Sequence, residues 1–347
     1  DVAPNTWNCV RDQMIKPTGF REYDARWKYP DEINLPGMTA LGLGLGTQMR
    51  RRGIEPVIAV GNDYRDYSLA IKNALVIGLM QAGIQVRDIG PALSPMAYFS
   101  QFHLDVPAVA MVTASHNPNG WTGVKMGFDR PLTHGPDEMG ELRDIVLNGE
   151  GEAHPGGSYE FVDGVKEAYL DALVGDFKMS RKLRVVCATG NGTASAFAPE
   201  LFERLGVEVI PSHNELDYSF PHYNPNPEAM EMLHDMADTV KATDADFALG
   251  FDGDGDRCGV LGARDGLGAV GGRQHHRPVR DRLGRVLERR VAHLEAVDAF
   301  AATLTAEQAG VGVHVGREAA CLHHVRDGDD SLGTVRQRRH DGRTRAE

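Results

Sequence analysis

Three aspartates at alternate positions, in Asp252-Gly253-Asp254-Gly255-Asp256-Arg257, make the most chemically loaded stretch of this 347-residue sequence. Carboxylates brought this close repel one another unless a cation sits among them. The two glycines let the backbone curl so that all three face one point, as a hard divalent ion with oxygen ligands requires. An EF-hand is ruled out, because Arg257 stands where that loop needs Gly and Ala263 where it needs a bidentate Glu. A second loop, Thr113-Ala114-Ser115-His116-Asn117-Pro118, offers a hydroxyl nucleophile. Proline at 118 drives Asn117 away from helical geometry, which predicts a tight, exposed turn presenting Ser115. A phosphoryl group on that serine would add about −1.5 to −2 charges and so would need a cation nearby. Taken singly, the loops have plain readings, an acidic surface turn and an Asn-Pro turn with an incidental serine. Together they predict phosphoryl chemistry beside a metal ion.

Both loops follow short apolar runs that read as strands, 108–112 before the serine and 247–251 before the aspartates. Further strands are expected at 56–61, 84–89, 183–188 and 207–210, and helices at 67–82, 136–147, 165–174, 193–205 and 229–242. Strands alternating with helices of this length predict parallel α/β sheets in both halves, and the carboxyl ends of such strands are where catalytic groups meet a crevice. The turn-rich stretch 149–157 is the expected linker, giving one domain over 1–150, with the serine loop, and another over 151–257, with the aspartate loop. Two glycine-rich stretches imitate nucleotide-binding loops. Gly42, Gly44 and Gly46 lie inside a helical pattern with no strand before them, and Gly190-Asn191-Gly192 reads as a tight strand-to-helix turn.

Hydrophobic content of 41% and charge of 25% fit a globular protein, and the length calls for two or three domains. A net charge of −12 argues against nucleic acid or an anionic membrane as partner, since those need a basic surface. A small anionic substrate remains compatible. No apolar run reaches 18 residues, and the opening residues carry no long apolar segment, so a cytoplasmic location is expected. Cys9, Cys187, Cys258 and Cys321 are far apart and suggest neither a disulfide framework nor zinc.

Composition breaks after Arg257. Residues 258–347 hold 15 Arg but no Lys, Ile, Asn, Tyr, Trp or Met, whereas residues 1–257 hold all 12 Met. Their 12 acids give a charge of +3 (15 minus 12), against −15 before the break (22 bases minus 37 acids). Loss of Lys, Ile, Asn, Tyr and Met, whose codons are AT-rich, is what a GC-rich gene gives when read out of frame, so a shift of frame shortly after residues 258–260 is expected. A genuine Arg-rich domain is the alternative.

Four stretches in order, Phe20-Arg21-Glu22-Tyr23-Asp24-Ala25-Arg26, the serine loop, Gly123-Val124-Lys125 and the aspartate loop, closely resemble the α-D-phosphohexomutases. Within that superfamily the chain looks most like the bacterial phosphomannomutase/phosphoglucomutase branch. The resemblance covers 18 to about 260 and implies tandem mixed α/β domains, with I and II legible, III degraded and IV absent. It implies that Ser115 is a phosphoserine exchanging its phosphoryl group with a hexose monophosphate through a 1,6-bisphosphate, with glucose 1,6-bisphosphate as activator. It further implies that Asp252, Asp254, Asp256 and an oxygen on Ser115 hold Mg²⁺, that His116 and Lys125 transfer protons, and that Tyr23, Arg26 and Arg257 contact substrate. Arg65 matches a family motif with either a structural or a surface role. The partner implied is a small phosphosugar, with the chain a monomer or dimer. Trp27 stands where the family commonly has Gly, and neither the Gly-Glu-x-Ser-Gly-His sugar loop nor the fourth-domain phosphate clamp is found. Two alternatives follow: a catalytically impaired remnant that binds Mg²⁺ or phosphosugar, and a phosphoglucosamine or phosphopentose mutase, although the 112–126 stretch favours hexose.

Overall fold

The structure is a computed structural model that describes residues 14–262, with 129 and 178 excepted. In chain order the elements are β1 (Ala25–Lys28), α1 (Leu35–Arg51), β2 (Val57–Asn62), α2 (Ser68–Gln81), β3 (Gln85–Pro91), α3 (Ser94–His103), β4 (Ala108–Val112) and β5 (Trp121–Gly127). They continue with α4 (Pro136–Asn148), β6 (Ser158–Phe161), α5 (Val165–Val174), β7 (Arg184–Ala188), α6 (Ala198–Arg204), β8 (Glu208–Ser212), α7 (Met230–Thr243), β9 (Phe247–Phe251) and β10 (Cys258–Gly262).

Two sheets result, a six-stranded one in the order β1-β5-β4-β2-β3-β6 and a four-stranded one in the order β10-β9-β7-β8. Their central strands run parallel, as the strand and helix alternation requires. The sheets are mixed rather than wholly parallel, because β5 pairs antiparallel with both β1 and β4, and β10 antiparallel with β9. The segment after the expected linker does not open the second sheet. It returns as β6 to extend the first, beside β3. Likewise the second sheet does not stop at 257, since β10 occupies 258–262. The remainder of the expected aberrant tail, 263–347, lies outside the described residues.

Side chains alternate across each strand and so serve two cores. Ile58, Val60, Ala110 and Val112 face α1, α2 and α4 on one side of the first sheet. Val57, Ala59, Val109 and Met111 face the other side, in a core that also takes Val185, Cys187, Leu249 and Phe251 from the second sheet. Met96 and Ala97 of α3, Tyr169 and Leu170 of α5, and Phe202 of α6 fill this shared core. The outer face of the second sheet, with Val186, Ala188 and Ala248, is closed by Met232, Met236 and Val240 of α7. One continuous apolar layer therefore joins the two sheets.

The helical glycines have a packing role. A Cβ on Gly42 would stand 2.1 Å from the Leu75 carbonyl, one on Gly78 2.0 Å from the Thr39 carbonyl, and one on Gly44 2.4 Å from Val146. The glycines that imitate a nucleotide loop are thus where α1 meets α2 and α4. Trp27 is accommodated in the same manner. Its indole is fully buried, donates to the Lys16 carbonyl at 2.7 Å and lies edge-on to Phe20, on a surface that glycine at 19 leaves free of any side chain.

Candidate active site

The carboxyl ends of β2, β4 and β9 converge, which is where strand-end chemistry is expected in such sheets. Chain leaving β4 turns at Ser115, whose φ of 53° is left-handed. Chain leaving β9 turns through the aspartates, with Gly255 at φ 69°. The two loops touch through backbone: a Cβ on Gly253 would stand 2.4 Å from the Ser115 carbonyl oxygen. Contact at this distance explains a glycine between the aspartates better than loop flexibility does. Ser115 Oγ donates to Asp252 Oδ2 at 3.1 Å and lies 3.4 Å from His116 Nδ1. The exposed turn expected from the sequence is not what forms, because Ser115 is buried and only Pro118 and Asn119 reach the surface fully.

The three aspartates each offer one oxygen within 4.8 Å of the others. Asp252 and Asp254 are fully buried and Asp256 is exposed. Asp252 Oδ1 accepts from the backbone N–H of Asp256 and Arg257, both at 3.1 Å, which closes the loop on itself. Lys125, from β5, bridges Asp254 at 2.7 Å and Asp256 at 2.5 Å. Ser94, the first residue of α3, donates its hydroxyl to Asp254 Oδ2 at 2.6 Å and its N–H to the Asp254 carbonyl at 3.0 Å. Asp254 Oδ1 is buried with no hydrogen-bond partner.

Charge state follows from this crowding. Burial, then the neighbouring Asp254 and Asp256 charges, push the Asp252 carboxyl well above the usual range. For Asp254, burial also raises the pKa, but Lys125 outweighs it and holds the carboxyl below the usual range. Burial works to lower the Lys125 pKa, yet the facing Asp254 and Asp256 carboxylates win and raise it. His116 is lowered by burial and by the Arg257 and Arg26 cations, so at neutral pH its imidazole is uncharged. Three carboxylates with one lysine, one of them driven toward protonation and another with an orphaned oxygen, fit a divalent cation.

The structure therefore brings together Ser115, His116, Lys125, Asp252, Asp254 and Asp256. Arg26 is buried and already engaged, donating to the Thr113 carbonyl and pairing with Asp24 at 3.0 Å. Arg257 is close enough to the site to act on His116. Tyr23 stands 62% exposed and is not part of the buried cluster. Sequence reasoning missed Asp63 and Thr113. Asp63 follows β2, is fully buried, pairs with Arg65 and accepts from Thr113 Oγ1 at 3.0 Å and the Ala114 N–H at 3.1 Å. Its signals in the sequence are its position just past an apolar strand and its place in the Gly61-Asn62-Asp63-Tyr64-Arg65 stretch that carries the Arg65 match. Arg65 is structural rather than a surface salt bridge, since it is buried with Asp63 and its Nη2 donates to the Ser115 and Asn117 carbonyls at 3.0 and 2.8 Å.

Two mixed sheets that set a buried serine loop against an acidic loop define an α/β/α protein with its chemistry at the strand ends. The chain belongs to the phosphoglucomutase/phosphomannomutase family: the model for α/β/α domain I of that family matches residues 17–152, and the model for domain II matches 160–266. The second match runs a few residues past the composition break and includes β10. The chain is 36% identical over 242 residues to the phosphomannomutase/phosphoglucomutase of Pseudomonas aeruginosa, covering 70% of this chain and 51% of that protein. It is 35% identical over 260 residues to the phosphomannomutase of Escherichia coli, covering 71% and 55%. Among solved structures, a phosphoglucomutase/phosphomannomutase family protein from Burkholderia thailandensis superimposes with a TM-score of 0.67 at 33% identity, over 72% of this chain and 55% of that one. The chain spans about half the length of the curated relatives it matches. No described helix is long and apolar enough to cross a membrane.

Proposed function

We propose that this chain carries the phosphoserine and metal half of a hexose phosphate mutase, interconverting hexose 6-phosphate and hexose 1-phosphate on mannose or glucose. The observation behind this reading is the meeting of Ser115 Oγ and Asp252 Oδ2 at 3.1 Å, from loops that are far apart in sequence. Phosphorylated Ser115 gives its phosphoryl group to a sugar hydroxyl: the bond from phosphorus to Oγ breaks as a bond to the sugar oxygen forms, yielding the 1,6-bisphosphate. Return of the other phosphoryl group regenerates the phosphoserine. His116, uncharged and beside Ser115, takes up the proton that leaves the sugar hydroxyl and returns it to the released Ser115 Oγ. Lys125, held protonated by Asp254 and Asp256, supplies positive charge to the phosphoryl oxygens. Asp252, Asp254 and Asp256, with an oxygen on Ser115, would hold Mg²⁺, which supplies charge neutralisation on those oxygens when bound. Arg257 and Tyr23 contact the sugar phosphate from the rim, while Arg26 acts on the serine loop.

A second reading, a catalytically impaired remnant that binds metal or phosphosugar without turnover, is suggested by the change of composition after residue 257. A coupled assay of glucose 1-phosphate and mannose 1-phosphate, primed with glucose 1,6-bisphosphate, separates the two. Turnover that Ser115→Ala abolishes supports the mutase. A folded chain phosphorylated at Ser115 but without turnover supports the remnant.

A further inference from the structure

We infer that Asp63, acting with Arg65 and Thr113, is the positioning group that fixes the geometry of the Ser115 nucleophile. This rests on the functional reading above. Ser115 adopts φ 53°, a conformation that costs a non-glycine residue roughly 1–3 kcal/mol and persists only where the surroundings impose it. The surroundings here centre on the Asp63 carboxylate. Asp63 is fully buried, and its Oδ2 accepts from the Ala114 N–H at 3.1 Å and from Thr113 Oγ1 at 3.0 Å. The same Thr113 oxygen, which also lies 3.1 Å from Asp254 Oδ2, accepts the Ser115 N–H at 2.8 Å, so Asp63 reaches the nucleophile's own backbone through one hydroxyl that it shares with the aspartate loop.

Arg65 completes the hold from the other side. Its Nη1 pairs with Asp63, and its Nη2 donates to the Ser115 carbonyl at 3.0 Å and the Asn117 carbonyl at 2.8 Å. Asp63 is fixed in turn by the hydroxyl of Ser68 at the start of α2. The C=O of Ser115 is thus held directly by Arg65, from the strand-to-helix turn after β2, and its N–H through Thr113, whose hydroxyl Asp63 of the same turn holds. None of Asp63, Arg65 and Ser68 touches Ser115 Oγ, so the group orients the nucleophile without joining the chemistry. The Phe220 ring lies 5.5 Å over the Arg65 guanidinium, and Asn224 donates to the His116 carbonyl at 2.6 Å, so the second domain closes the arrangement.

Thr113→Val keeps the shape of the side chain and removes the relay, Thr113→Ser keeps the relay, and Arg65→Lys keeps the charge for Asp63 but loses the fork that reaches two carbonyls. Two readouts apply to the full chain. Amide hydrogen exchange at Ala114 and Ser115 reports the hold itself, and intact-mass kinetics of Ser115 phosphorylation by glucose 1,6-bisphosphate with Mg²⁺ reports its consequence. Exchange is expected to quicken about tenfold or more in Thr113→Val and Arg65→Lys and to stay near wild type in Thr113→Ser. Phosphorylation is expected to slow by roughly 10- to 100-fold in the first two and recover in the third, with Mn²⁺ affinity unchanged in Arg65→Lys. Unchanged exchange, or quickened exchange with an unchanged phosphorylation rate, overturns the inference. If the wild-type chain takes no phosphoryl group, the proposed function fails instead, and exchange alone decides whether the hold exists.

Discussion

Lys125 competes with a metal ion at the site, and Gly253 sets how closely its two loops approach. Lys125 occupies the same carboxylate oxygens, on Asp254 and Asp256, that a divalent ion would use. Lys125→Met is therefore expected to tighten Mn²⁺ binding, by about tenfold for ~1.4 kcal/mol of relieved competition. It should also slow phosphoryl transfer by roughly 10²-fold or more, because a cation on the transferred group is lost. Electron paramagnetic titration with Mn²⁺ beside the transfer rate checks both, and weaker metal binding would contradict the competition. Gly253→Ala places a methyl group 2.4 Å from the Ser115 carbonyl, which forces the two loops apart. A loss of about 10²-fold in transfer is expected at wild-type metal affinity, read from the same pair of measurements. These residues were partly legible in the sequence. The alternation of Asp and Gly announces a metal loop, but nothing in it says that Gly253 is required by contact with a loop from the other domain. Asp63 lies in the stretch matched for Arg65, yet nothing in that stretch says that the acid holds a loop leaving another strand.

At the scale of elements, β2, β3, β4, β7, β8 and β9 are legible in the sequence; β2, β4, β7 and β9 lie in the sheet centres as largely apolar runs, and β8 at an edge is read from Val207 to Ile210. The strands missed are β1, β5, β6 and β10. β1 carries Arg and Lys beside its Trp, β5 mixes Gly, Lys and Thr, and β6 is exposed along its whole length at the sheet edge. Antiparallel pairing through β5 and β10 was illegible for the same reason, so the sheets were expected to be parallel. The helical pattern around Gly42, Gly44 and Gly46 is legible in the sequence, but the tight crossing of α1 and α2 that these glycines allow is not. Gly78→Ala is expected to cost about 3 kcal/mol by overpacking two helix backbones, seen as a Tm lower by roughly 6–12 °C. A shift within a degree of wild type would show that the helices separate freely. His134 precedes α4, is buried against Phe128, and meets Gln48 Oε1 at 3.1 Å while its Nδ1 has no partner. Burial lowers its pKa from 6.5 to about 4. Between those values the unfolded chain binds the extra proton, so stability is full above the upper one and falls as pH drops toward the lower. The loss is at most about 3 kcal/mol. Urea unfolding at pH 7.5 and pH 5 should show the drop, and His134→Gln should flatten it.

Over the whole molecule, the two sheets are joined by a shared apolar layer through α3, α5 and α6, which is why loops from different sheets meet within hydrogen-bond distance. A linker at 149–157 is readable from its glycines, but a core spanning that linker is not, since no local pattern records which faces pack together. The composition break after 258–260 is a property of the sequence as a whole. Translation of the two other frames downstream is expected to give a continuing α/β pattern, and its absence from both would remove the frame-shift proposal. The central claim, that Ser115 beside the aspartate loop is a phosphoryl carrier, is tested most directly by mixing the folded chain with glucose 1,6-bisphosphate and Mg²⁺ and mapping added phosphate by mass spectrometry. One phosphoryl group on Ser115, absent from Ser115→Ala and suppressed by chelation of the metal, is the predicted result. No transfer to a folded, metal-bound chain, or transfer to another residue, would contradict it.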